Sequence, residues 1–118
     1  MYSPQLLDHF EHPRNAGELP GASAHVRLEN PACGDVLELA VKIADDRIDD
    51  IRFRAKGCVP VIACASALTE LAKGRSLQQA RAIARAEVKR AVGGLPAASG
   101  HAAQLAVDAL YAVLDMKP

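Results

Sequence analysis

The sequence has no tryptophan, and aromatic residues make up only 3% of its 118 positions. A surface that binds nucleic acid by stacking needs aromatic platforms, so no such surface is expected. Net charge is also lacking, because fourteen Lys and Arg balance fourteen Asp and Glu. That balance removes bulk attraction to nucleic acid or to an anionic membrane. No apolar run approaches the roughly 20 residues of a membrane span. The opening MYSPQLLDHF carries acid where a secretory leader has basic residues and then an apolar stretch. A cytoplasmic protein with neither nucleic acid nor membrane as partner is the expectation. Cysteine is scarce and odd in number, at three, which argues against a disulfide framework and leaves metal, catalytic or buried thiols. Repeats and low-complexity stretches are missing, and half the residues are hydrophobic. One domain over residues 1–118 with a modest core follows.

What is present is ordered punctuation. Ser3 is a candidate N-cap, Pro4 fits a first helical position, and Leu6, Leu7 and Phe10 share a face of a short helix that Pro13 stops. After a loop of Gly, Pro and Asn, HVRLEN and VLELAVKI alternate with period two, placing Leu37, Leu39, Val41 and Ile43 on one side. Asp45 and Asp46 mark a turn into RIDDIRFRA, where Ile51, Phe53 and Ala55 alternate again. Past Gly57 the period changes. PVIACASALTELAKG reads as a helix with Ile62, Ala65, Leu68 and Leu71 at helical spacing and Gly74 closing it. Ser76 and Gln79 have capping-box spacing at the start of a second helix that runs toward Gly93 and Gly94. HAAQLAVDALYAVLD is a third, apolar except for a stripe of Gln104, Asp108, Tyr111 and Asp115. Strands first and helices after predict an α+β fold: a small antiparallel three-stranded sheet with helices packed on one face.

Cys33, Asp35, Cys58 and His101 all fall at the ends of elements, where a rigid scaffold presents ligands. Thiolate, imidazole and carboxylate together suit zinc or iron, and thiolates suit iron-sulfur clusters. A hairpin's length separates Cys33 from Cys58, so both can reach one end of the sheet. Spacing alone leaves ordinary buried or loop cysteines as an equal alternative. Cys64, in the following helix, reads as a small core side chain. His9, His12 and His25 read as surface or packing residues. Arg81, Arg85 and Lys89, with Arg75 and Arg90 nearby, form a basic face that reads as solvated.

Five segments carry a resemblance along nearly the whole chain. YSPQLLDHFEHPRNAGEL, NPACGD, FRAKGCVPVIACAS, LTELAKGRSLQQA and LP followed by HAAQLAVDAL are similar, in order and spacing, to motifs of the IscU/NifU amino-terminal scaffold family of iron-sulfur cluster assembly. The resemblance implies a SufE/NifU-like fold and a scaffold or carrier that is not an enzyme and binds iron and a transient iron-sulfur cluster. It also implies a cysteine desulfurase as sulfur donor and apo-proteins as recipients. The matching ligands are Cys33, Asp35, Cys58 and His101. Gly34 would let the turn bring Cys33 and Asp35 inward together, pairing a soft thiolate with a harder, weaker oxygen.

Two departures stand beside the match. The family's third cysteine, after the histidine, is Ala102 here, and the family's chaperone-docking LPPVK is LPAAS at Leu95 to Ser99, which puts chaperone docking in doubt. Two alternatives accompany the scaffold reading. One is a zinc-binding variant, since two thiolates, a carboxylate and an imidazole complete a tetrahedron. The other is an apo interaction module that has lost the cluster site.

Overall fold

A computed structural model describes residues 2–30 and 34–116. Cys33, one of the four ligand candidates, lies outside the described residues. The first helix, α1 (Pro4–Glu11), starts as its sequence requires: Ser3 Oγ accepts a hydrogen bond from the Leu6 N–H at 3.0 Å, and Pro4 takes the first position. Three strands follow, β1 (Ala24–Asn30), β2 (Asp35–Ala44) and β3 (Arg47–Lys56), in the antiparallel order β1-β2-β3. Leu39 stands opposite Val26 on one side and Phe53 on the other. A slip of one residue would turn Leu37, Leu39 and Val41 to solvent, forfeiting about 2 kcal/mol for each, so the register is strongly specified. The two-residue turn between β2 and β3 has positive φ at Asp45 and Asp46, 54° and 60°, which aspartate tolerates better than most residues. A register shift between Lys42 and Ile43 ends the strict alternation, and Ile43 is only partly buried. Residues 15–17 run along the outer edge of β3, where Phe53 N–H bonds the Asn15 carbonyl and Gly17 N–H bonds the Phe53 carbonyl. Those two bonds occupy the edge of β3 at Phe53.

Helix α2 (Val59–Ala72) is apolar on nearly every side, as a helix must be when it packs against α1, a strand and another helix together. Ala63, Ala65 and Ala67 keep it slim enough for those close approaches. Gly74, at φ +84°, lets the chain leave the helix. The Ser76–Gln79 capping box is reciprocal, with both hydrogen bonds at 3.1 Å.

The single helix expected from Ser76 to Gly93 is instead two, α3 (Leu77–Arg81) and α4 (Arg85–Ala91). The chain tightens at Ala82 and Ile83 and is extended at Ala84, which buries Ile83 completely. The Ile83 carbonyl left over by the break accepts a hydrogen bond from the Tyr111 hydroxyl. The break also divides the basic stripe: Arg81 bonds Asp115 and Arg75 bonds Glu87.

A 3-10 turn (Ala97–Ser99) leads into α5 (Gly100–Asp115), whose apolar face packs on β1, β2 and α2. Helices α2 and α5 thus cover one face of the sheet, and both begin at the end of the sheet where β2 begins and β3 finishes.

Candidate metal centre

Asp35, Cys58 and His101 are delivered by three different elements. Asp35 is the first residue of β2, Cys58 is the N-cap of α2 with no side-chain cap bond of its own, and His101 lies in the first turn of α5. One ligand atom from each lies within 4.8 Å of the other two. Asp35 Oδ1 accepts the Cys58 N–H at 3.0 Å. Asp35 Oδ2 is 3.5 Å from His101 Nε2 and 4.0 Å from Cys58 Sγ, and Cys58 Sγ is 3.9 Å from His101 Nε2. Bond lengths to a tetrahedral zinc place a sulfur about 3.6 Å from a nitrogen or oxygen ligand and the nitrogen about 3.4 Å from the oxygen. The observed separations match within a few tenths of an ångström, so these three donors fit one cation. Asp35 is 1% exposed, whereas the His101 side chain is 32% exposed and forms the open side.

Burial and then the neighbouring Asp35 carboxylate push the Cys58 thiol above its ordinary range, against the lowering by backbone N–H groups of the first turn. A cation bound there must therefore displace a proton from sulfur. Cys64 is outside that group, fully buried in the core, and burial first and then the charge of Cys58 raise its thiol to about 12. Ala102, beside His101, is buried in the same apolar core. The geometry thus brings together three of the four candidate ligands, and the fourth, Cys33, lies outside the described residues.

Sequence reasoning passed over a second polar group. His9 is packed under α2, where its Nδ1 meets Ser66 Oγ at 2.8 Å; Ser66 Oγ also accepts the Arg14 N–H at 2.8 Å. Asp8 pairs with Arg14 at 2.6 Å, and Asn15 Nδ2 donates to Thr69 Oγ1 at 3.2 Å. The signal was in the motifs themselves, since Asp-His, Pro-Arg-Asn and Thr-Glu meet here. His12 and His25 are exposed.

Residues 1–117 match the family described as the NifU-like N terminal domain. The chain is 44% identical over 110 residues to iron-sulfur cluster assembly scaffold protein IscU 1 of Archaeoglobus fulgidus, covering 93% of this chain and 72% of the relative. It is 38% identical over 117 residues to the scaffold protein IscU of Escherichia coli K12, covering 96% and 91%. The solved amino-terminal structure of a NifU-like protein from Brucella abortus superposes with a TM-score of 0.78 over 96% of this chain and 91% of that one, at 16% identity.

Proposed function

We propose that this chain, which belongs to the NifU-like N-terminal domain family, is an iron-sulfur cluster assembly scaffold, a carrier whose cargo is iron and a transient cluster. The observation that carries the reading is the convergence of the Asp35 carboxylate, the Cys58 thiol and the His101 imidazole within 4.8 Å at one end of the sheet. Cys58 supplies a soft sulfur ligand, and Cys33, by resemblance, a second. Asp35 and His101 supply harder, more readily exchanged ligands. A carrier benefits from that mixture, because cargo held only by thiolates leaves slowly. The half-open His101 side is where cargo would enter and depart.

On this reading the protein is not an enzyme. It takes sulfur from a cysteine desulfurase and passes the assembled cluster to recipient apo-proteins in the cytoplasm. No described helix is long and apolar enough to cross a membrane. The direct test is transfer. Protein given ferric iron and sulfide anaerobically, so that two ferric ions and two sulfides make the oxidised cluster without a further oxidant, is mixed with an apo-ferredoxin, and cluster absorbance should move to the recipient. Absorbance that never develops, or never leaves, contradicts the proposal.

A second reading places zinc at the same three donors. The donor separations suit a tetrahedral cation, and Ala102 gives no third thiolate. Zinc alone, with no iron or sulfide, in anaerobically purified protein would support it.

A further inference from the structure

Gly57, between the end of β3 and Cys58, has φ +147°, a conformation that residues with a Cβ rarely adopt. The space on its missing side-chain face is already taken. A Cβ built there would lie 2.1 Å from Asp35 Oδ1, 2.9 Å from Asp35 Cγ and 3.1 Å from Asp35 Cα. The first two are side-chain atoms, which could clear a Cβ only by leaving their place beside Cys58; the last is β2 backbone, which would have to give by a few tenths of an ångström. The oxygen that fills the space is the one accepting the Cys58 N–H at 3.0 Å. That bond leaves Oδ2 alone directed toward His101 Nε2 and Cys58 Sγ.

We propose that Gly57 is a positioning residue for Asp35: its lack of a side chain lets one carboxylate oxygen lock onto the Cys58 backbone, so that Asp35 offers a cation a single oxygen. This rests on the metal-site reading above and goes beyond it. A freely rotating carboxylate could bind through both oxygens or swing away. A locked one holds its second oxygen ready between sulfur and nitrogen. Substitution at position 57 therefore reaches the metal through Asp35, beside the strain that a Cβ at this φ puts on the backbone.

The test is a double-mutant cycle on apo-protein with cobalt(II) as the probe, comparing wild type, Gly57→Ala, Asp35→Ala and the double variant. Visible absorbance reports tetrahedral cobalt and its thiolate ligand, and the thermal midpoint of each apo-protein is measured alongside. Gly57→Ala should weaken cobalt binding about 10- to 100-fold, the range for a lost orienting partner. Asp35→Ala should weaken it comparably, and the double variant should bind no more weakly than Asp35→Ala. The melting point lost in Gly57→Ala should be partly regained in the double variant, where the carboxylate is gone. Wild-type affinity in Gly57→Ala, or a double variant weakened by both factors in full, overturns the proposal. If wild type takes up no cobalt, the metal-site reading falls, and the melting cycle decides the Gly57–Asp35 pairing alone: additive losses overturn it.

Discussion

Nδ1 of His9 on α1 lies 2.8 Å from Oγ of Ser66 on α2, and the ring's other nitrogen is 3.7 Å from Glu70. Ser66 Oγ accepts the Arg14 N–H and keeps one proton and one lone pair, so it donates to Nδ1 or accepts from it according to the ring's tautomer. Burial first, and then the Arg14 charge, lower the His9 pKa from the usual 6.5, outweighing Glu70 and Asp8. The folded state thus binds this proton less readily than the unfolded chain. Stability is complete above about pH 6.5 and declines as pH falls below it, with a slope of at most about 1.4 kcal/mol per unit from this group. Urea unfolding at pH 8 and pH 5.5 should show the decline in wild type and a smaller one in His9→Gln. Equal slopes would remove His9 as the cause.

Cys64 and Cys58 make opposite predictions. Cys64 is completely buried, with its thiol held near 12, so Cys64→Ala should cost about 1 kcal/mol of stability and leave zinc or cobalt affinity unchanged. Cys58→Ala should abolish binding of either. Metal content after gel filtration reads both variants. Loss of metal in Cys64→Ala would make Cys64 a ligand and overturn the assignment.

Tyr111→Phe tests the break between α3 and α4. Its hydroxyl serves the Ile83 carbonyl, and removing it should cost about 1 kcal/mol in urea unfolding, with cobalt affinity unchanged. An unchanged midpoint would mean that solvent satisfies that carbonyl.

These residues also divide what was legible in the sequence from what was not. Ser3, the Ser76–Gln79 box and the Asp45–Asp46 turn act through their own neighbours, so their roles could be read directly. Leu37, Leu39 and Val41 announce a buried face by alternation alone. The break at Ala82–Ala84 was hidden, because those residues suit a helix well; burial of Ile83 and the partner Tyr111, far along the chain, decide it. His9 was passed over for the same reason, since its partner Ser66 is 57 residues away. Asp35, Cys58 and His101 converge through the packing of three elements. Their spacing left metal and core readings open, and the resemblance had to choose between them. Gly57 reads as punctuation in the sequence, and the Asp35 carboxylate that fills the space beside it comes from a strand 22 residues earlier.

Position 102 is where this chain departs most from the resemblance. Ala102 is absorbed into the core where the resemblance would have a third cysteine, so Ala102→Cys should raise the iron and sulfide retained after gel filtration. The thiol must either turn toward Cys58 or crowd the core, and crowding would cost about 1–3 kcal/mol. Unchanged retention together with lower stability would mean that the thiol points into the core.

The most direct measurement is anaerobic reconstitution of wild type and Cys58→Ala with ferric iron and sulfide, followed by iron, sulfide and zinc analysis and visible absorbance. A scaffold predicts that wild type retains iron and sulfide together with a visible absorbance band, and that Cys58→Ala retains neither. Wild type holding only zinc, or the two proteins holding equal iron and sulfide, would contradict a cluster carried at Cys58.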